Sequence, residues 1–184
     1  IILTLPHSGN WDLAGAWATL TLKQISTVAE RLKPDSVFER FLELRTKIGL
    51  DIIPLTGYTG VYEFLRERLI AGNIVPLLGD RDVAKSGMSN QLFGQKASLP
   101  VGASLLALDT GRPIFTCSTW YDGKQLVITF DDPIYVTSTD VTPRERLKIA
   151  QQVTAQIAQR FEQHISSHPQ DWHMLQPVWK DLIA

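Results

Sequence analysis

The chain has 184 residues, 44% of them hydrophobic and 20% charged, a composition that suits one folded domain and excludes a disordered segment. A formal net charge of −1 and a sequence pI near 6.5 exclude a global field for nucleic acid or an anionic membrane. The single cysteine, Cys117, excludes an internal disulfide and a thiolate metal site.

Ile1 already lies inside an apolar run, with no methionine or charged leader before it. The chain is therefore read as a C-terminal fragment, residues 1–184 forming a single domain whose N-terminal part is missing. No stretch is long and apolar enough to span a bilayer, so membrane contact would come from a local patch or from a signal, anchor or helical pair upstream. "IILTL" predicts a buried strand and Asp12 to Lys23 a helix. "QISTVAE" is the next strand, and Pro34 opens a helix with Val37, Phe41, Leu44 and Ile48 on one inward face, closed by Gly49. "DIIPL" is a third strand, followed by a helix over 61–71 with Phe64, Leu65 and Leu69 inward.

"NIVPLLG" is a fourth strand, and Leu99 to Thr110 a short helix. Between them Met88, Leu92 and Phe93 read as a glycine-flanked loop that touches lipid or tucks under itself. "RPIFTCSTW" and "KQLVITF" pair around Asp122-Gly123 as a hairpin. "TPRE", Thr142 to Glu145, is a capping box opening a long helix with Ile149, Val153, Ile157, Phe161 and Ile165 along one stripe. The alternation predicts an α/β domain, layered, with a mostly parallel central sheet flanked by helices, and ligands at the carboxyl ends of the strands.

His7 sits at such an end, in "LPHSGNWD". Asp12 would lie in the first turn of the following helix, where it can reach one imidazole nitrogen and leave the other facing the crevice as a general base. Equally, Asp12 can serve only the helix N-terminus and His7 be a loop residue. Glu30 ends the second strand, and Arg45 lies beside the inward Leu44. "GDRD" places Asp80, Arg81 and Asp82 after the fourth strand, with Arg81 offering a planar fork to a phosphate. His173 lies between Trp172 and Met174 in "DWHMLQP".

"LPHSGNWD" resembles the H-x-x-x-x-D motif of the lysophospholipid acyltransferase superfamily, and within it the bacterial lipid A biosynthesis acyltransferase family. The stretches "VAERLKPDSVFERFLELRTKIGLDIIPL" and "LLGDRDVAKSGMSNQLFGQKASLPVGASLLALDTGRPI" resemble that family's second and third blocks. "HPQDWHMLQPVW" is similar to the signature of the actinobacterial branch that acylates phosphatidylinositol mannosides. The resemblance implies acyl transfer from acyl-CoA (or an acyl carrier protein) to a sugar hydroxyl of a membrane glycolipid, with His7 as base and Asp12 as its orienting carboxylate. Glu30, Arg45, Asp80, Arg81, Asp82 and His173 would bind substrate. It implies no cofactor beyond acyl-CoA as donor, no metal, no nucleic acid, and a peripheral seat on the cytoplasmic face of the cell membrane, reached through the missing N-terminal region. A thioesterase-like hydrolase and a non-catalytic lipid-binding paralogue are the alternatives. One departure stands out: Ser89 occupies a position where an acidic residue is expected after Gly87, and Asp80 or Asp82 would have to take over its role.

Overall fold

The computed structural model describes residues 1–55, 57, 59–137 and 141–179. Its first strand, β1 (Ile2–Leu5), is the centre of the molecule. β1 pairs in parallel with β4 (Val75–Leu78) on one side and β7 (Ile114–Asp122) on the other, and β7 turns back into antiparallel β8 (Gln125–Phe130). β2 (Ser26–Ala29) and β3 (Asp51–Pro54) form a second parallel pair. A single parallel bridge, Ile25 to Ile74, joins that pair to β4. The order β3-β2-β4-β1-β7-β8 thus bears out the layered α/β expectation, with an antiparallel edge.

Alternation along β1 feeds two cores. Ile2 packs with Leu65, Leu69, Leu106, Ile157 and Phe161, which come from α3 (Val61–Ile70), α4 (Gly102–Thr110) and α5 (Pro143–Ser167). Leu3 and Leu5 face the other way, toward Ala18 of α1 (Trp11–Thr21), Ile25, Leu50 and Cys117. α5 begins as its sequence predicts: Thr142 accepts from the Glu145 amide, and the Glu145 carboxylate accepts from the Thr142 amide.

Two expectations fail. The stretch Met88–Leu99 is not a loop with a helix starting at Leu99 but the hairpin β5 (Met88–Leu92) and β6 (Gln95–Leu99), turned by Phe93 and Gly94 with φ of 53° and 72°. The helix α2 (Asp35–Lys47) buries Phe38, whereas Val37, Phe41 and Leu44 are exposed, Leu44 at 51%. The stripe has the right helical period, but α2 lies against β3 with Phe38, not the stripe, as its buried side chain.

Pro76 explains why β2 and β4 part. The amides of Val75 and Gly79 donate toward β1, so the intervening Pro76 faces β2, and proline has no N–H to donate there. Beyond the Ile25–Ile74 bridge the Thr27 hydroxyl spans the gap, donating to the Pro76 carbonyl at 2.5 Å, and past the strand ends Arg81 reaches Glu30. The sheet is open from this point to the carboxyl ends of both strands.

Candidate active site

That opening is part of a cavity of about 740 Å³. Val28 and Leu77 line it from the two sides of the slot; Ala18 and Leu50 line one face of the sheet, and Leu65 and Leu106 the other. Its wall is mostly apolar, and its polar groups gather where strands end: His7 beyond β1, Glu30 beyond β2, Arg81 beyond β4, with Asp12 of α1 and Arg45 of α2 beside them.

The carboxylate on His7 is Asp80. Leu5 of β1 stands opposite Leu78 of β4, so His7 and Asp80, each two residues further on, meet across the same register. Asp80 is fully buried, a costly position for a charge unless every lone pair is used. One carboxylate oxygen lies 2.5 Å from His7 Nδ1; the other accepts the His7 amide at 2.8 Å and the indole N–H of Trp172 at 2.9 Å. Nδ1 is thereby occupied, Nε2 is left, and the ring lines the cavity with 16% of its side chain exposed. Trp11 packs edge-on against the imidazole, with ring centroids 5.4 Å apart.

The place expected for Asp12 is therefore filled from another strand. Asn10 caps α1 through the Leu13 amide, and Asp12 turns to Arg45, accepting from Nε at 2.6 Å and Nη2 at 3.1 Å. Arg45, unlike the exposed Leu44 beside it, reaches inward, its guanidinium also lying over the Phe41 ring. Arg81 Nη2 donates to both Glu30 oxygens at 2.7 Å. Two guanidiniums are thus each held by a carboxylate on the wall of the cavity that holds His7, leaving N–H groups for an anionic group.

The remaining candidates have other partners. Asp82 accepts from the amides of Ser86 and Gly87 and from the Ser98 hydroxyl, fixing the loop that leads into β5. Ser89 is exposed on β5, and its carbonyl accepts from Gln151. The side chain of His173 is exposed and tilted on Trp11 at 6.4 Å, while its amide donates to the His7 carbonyl at 2.7 Å. Sequence reasoning missed Trp172, the residue of that motif whose side chain reaches Asp80. Cys117 lines the cavity wall, but burial, with the charge of Asp131 adding, pushes its thiol up to about 12, so it is no nucleophile.

An imidazole whose Nδ1 is held by a buried carboxylate, two guanidiniums and a mostly apolar cavity are groups that could activate a hydroxyl beside an acyl chain. The comparisons agree in family. Phosphatidylinositol mannoside acyltransferases of Mycobacterium tuberculosis and Mycolicibacterium smegmatis are each 38% identical to this chain over 179 residues, 97% of its length. The chain spans about half the length of these relatives, 54% and 56% respectively. Residues 1–181 match the bacterial lipid A biosynthesis acyltransferase family, and the chain belongs to it.

Proposed function

We propose that this chain is the catalytic domain of an O-acyltransferase that moves a fatty acyl group from acyl-CoA to a sugar hydroxyl of a membrane glycolipid, a phosphatidylinositol mannoside. His7, held through Nδ1 by Asp80 in the wall of the apolar cavity, is the observation that carries this reading. Nε2 takes the proton of the acceptor hydroxyl as its oxygen attacks the thioester carbonyl. Asp80 keeps Nδ1 protonated beforehand and stabilises the imidazolium that forms. Collapse of the tetrahedral intermediate forms the ester and expels the thiolate, which takes the proton back from Nε2. The acceptor oxygen is the nucleophile, so no enzyme-bound acyl intermediate is needed. The acyl tail lies along the cavity, and Arg45 and Arg81 bind phosphate groups of donor or acceptor. A glycolipid acceptor brings the reaction to a membrane surface.

The test uses the full-length protein carrying this domain, palmitoyl-CoA and a phosphatidylinositol mannoside. Transfer is expected from the wild type and none from His7→Ala at unchanged thermal stability. Full transfer by His7→Ala overturns the proposal. Fatty acid release that is equally fast without the glycolipid assigns hydrolysis instead.

A further inference from the structure

We infer that Trp172 is a positioning residue for the reaction, acting through the carboxylate of Asp80; the inference rests on His7 being the base. The argument begins with what holds Asp80. Two of the three N–H groups on its carboxylate, the amide and Nδ1, belong to His7 itself. A carboxylate held only by the residue it orients can swing together with that residue and orient nothing. The indole N–H of Trp172, at 2.9 Å, is the contact that comes from elsewhere in the chain and supplies an external reference.

Trp172 is itself fixed by backbone and by ring. It follows the 3₁₀ turn Pro169–Asp171 at the end of α5 and forms an antiparallel bridge with Ser8. That bridge is closed by the Gly9 amide on the Asp171 carbonyl at 2.9 Å and the His173 amide on the His7 carbonyl at 2.7 Å. The ring packs edge-on against Trp179 and is tilted against Phe93, each with centroids 6.2 Å away. Trp179 is in turn tied to the β5–β6 hairpin by its indole N–H on the Leu92 carbonyl at 2.8 Å. Three consecutive residues, 171–173, therefore grip both halves of the dyad: their backbone holds the His7 loop and one side chain holds Asp80. Burial alone would be satisfied by any large aromatic side chain here. The N–H on a buried anion is what an apolar ring cannot reproduce.

The experiment removes that N–H and keeps the ring. Trp172 of the full-length protein is replaced by benzothienylalanine, in which sulfur stands where the indole N–H was, and Trp172→Phe is made alongside. Two quantities are read: kcat and KM for palmitoyl-CoA and the glycolipid, and the proton resonance of His7 Nδ1–H in the protein without substrate, identified by its disappearance in His7→Ala. The benzothienyl protein is expected to lose about tenfold in kcat with both KM values unchanged, and its Nδ1 proton resonance is expected to move and broaden. Wild-type kcat, or an unmoved resonance, overturns the inference, because a packing role alone leaves the imidazole proton where it was. Transfer by His7→Ala overturns the assignment of the base instead, and the resonance then still reports whether Trp172 holds Asp80.

Discussion

Replacing Asp80 by asparagine separates the role of the dyad from the integrity of the fold. The oxygen that accepts two N–H groups, from His7 and Trp172, is best kept as the amide oxygen. The amide NH₂ then falls on the side facing Nδ1, 2.5 Å away in the wild type, and can only donate. Nδ1 must become the acceptor, so the ring proton moves to Nε2 and the nitrogen that faces substrate can no longer take a proton. A positioned base is worth about 10²–10⁴ in rate, and the wrong tautomer in an aspartate-histidine pair about 10⁴, so kcat should fall roughly a thousandfold or more. Stability should change far less. Three hydrogen bonds pass from charged to neutral, one of them reversed, a loss of about 2–3 kcal/mol, offset in part because a buried amide is cheaper to desolvate than a carboxylate. Asp12→Asn leaves Nδ1 untouched and loosens only Arg45, so its kcat should stay within about tenfold of wild type while KM rises. Steady-state acyl transfer at saturating donor and acceptor, with a thermal melt of each variant, reads all of this. An Asp80→Asn protein that keeps full kcat, or an Asp12→Asn protein equally dead at an unchanged melting temperature, would refute the reasoning.

Gly9→Ala should destabilise the protein by about 2–4 kcal/mol: φ is 56°, and a Cβ there would lie 2.6 Å from the Thr119 carbonyl oxygen. Circular-dichroism melts check this, and an unchanged midpoint would mean that the His7 loop is far more compliant than its packing indicates. Asp109 is held below its ordinary value near 3.8, chiefly by the hydrogen bond from Arg146 and further by Tyr62. Its contribution is present above that ordinary value and is lost as pH falls through the lower folded one. Urea melts should therefore show Asp109→Asn less stable than wild type at neutral pH, with the gap closing below about pH 4. Phe161 is fully buried in the larger core, and Phe161→Ala should cost about 3–5 kcal/mol in the same melts. Cys117 should resist a disulfide reagent in the native protein and react once denaturant opens the core, since its thiol is both buried and pushed up to about 12.

Outside residues 88–101, strand ends and helix starts were largely legible because local chemistry sets them: the Thr142–Glu145 box, glycines after helices, proline at 34. The address of His7 was legible for the same reason. Its partner was not, because Asp80 reaches His7 only through the order β4-β1 and the register of Leu5 on Leu78, which a separation of 73 positions along the chain conceals. Both nevertheless stand two residues past the end of an apolar run, the signal that could have paired them. The β5–β6 hairpin was hidden because Phe93-Gly94 is an unusual turn pair and because Asn90 occupies a buried position where an apolar residue is expected. The face of α2 was misjudged since periodicity identifies a stripe without saying what covers it. The arginines were picked out, but their carboxylate partners lie in distant elements.

Pro76 has a consequence beyond the shape of the cavity. Any other residue at that place would offer the neighbouring strand one more rung, and a continuous sheet is the more stable arrangement. The imino acid forbids that rung by covalent structure, so the seam resists being knitted shut by chance contacts or by selection for sturdiness. The molecule keeps its cavity open by forgoing rigidity at a spot where tightening it would otherwise be easy.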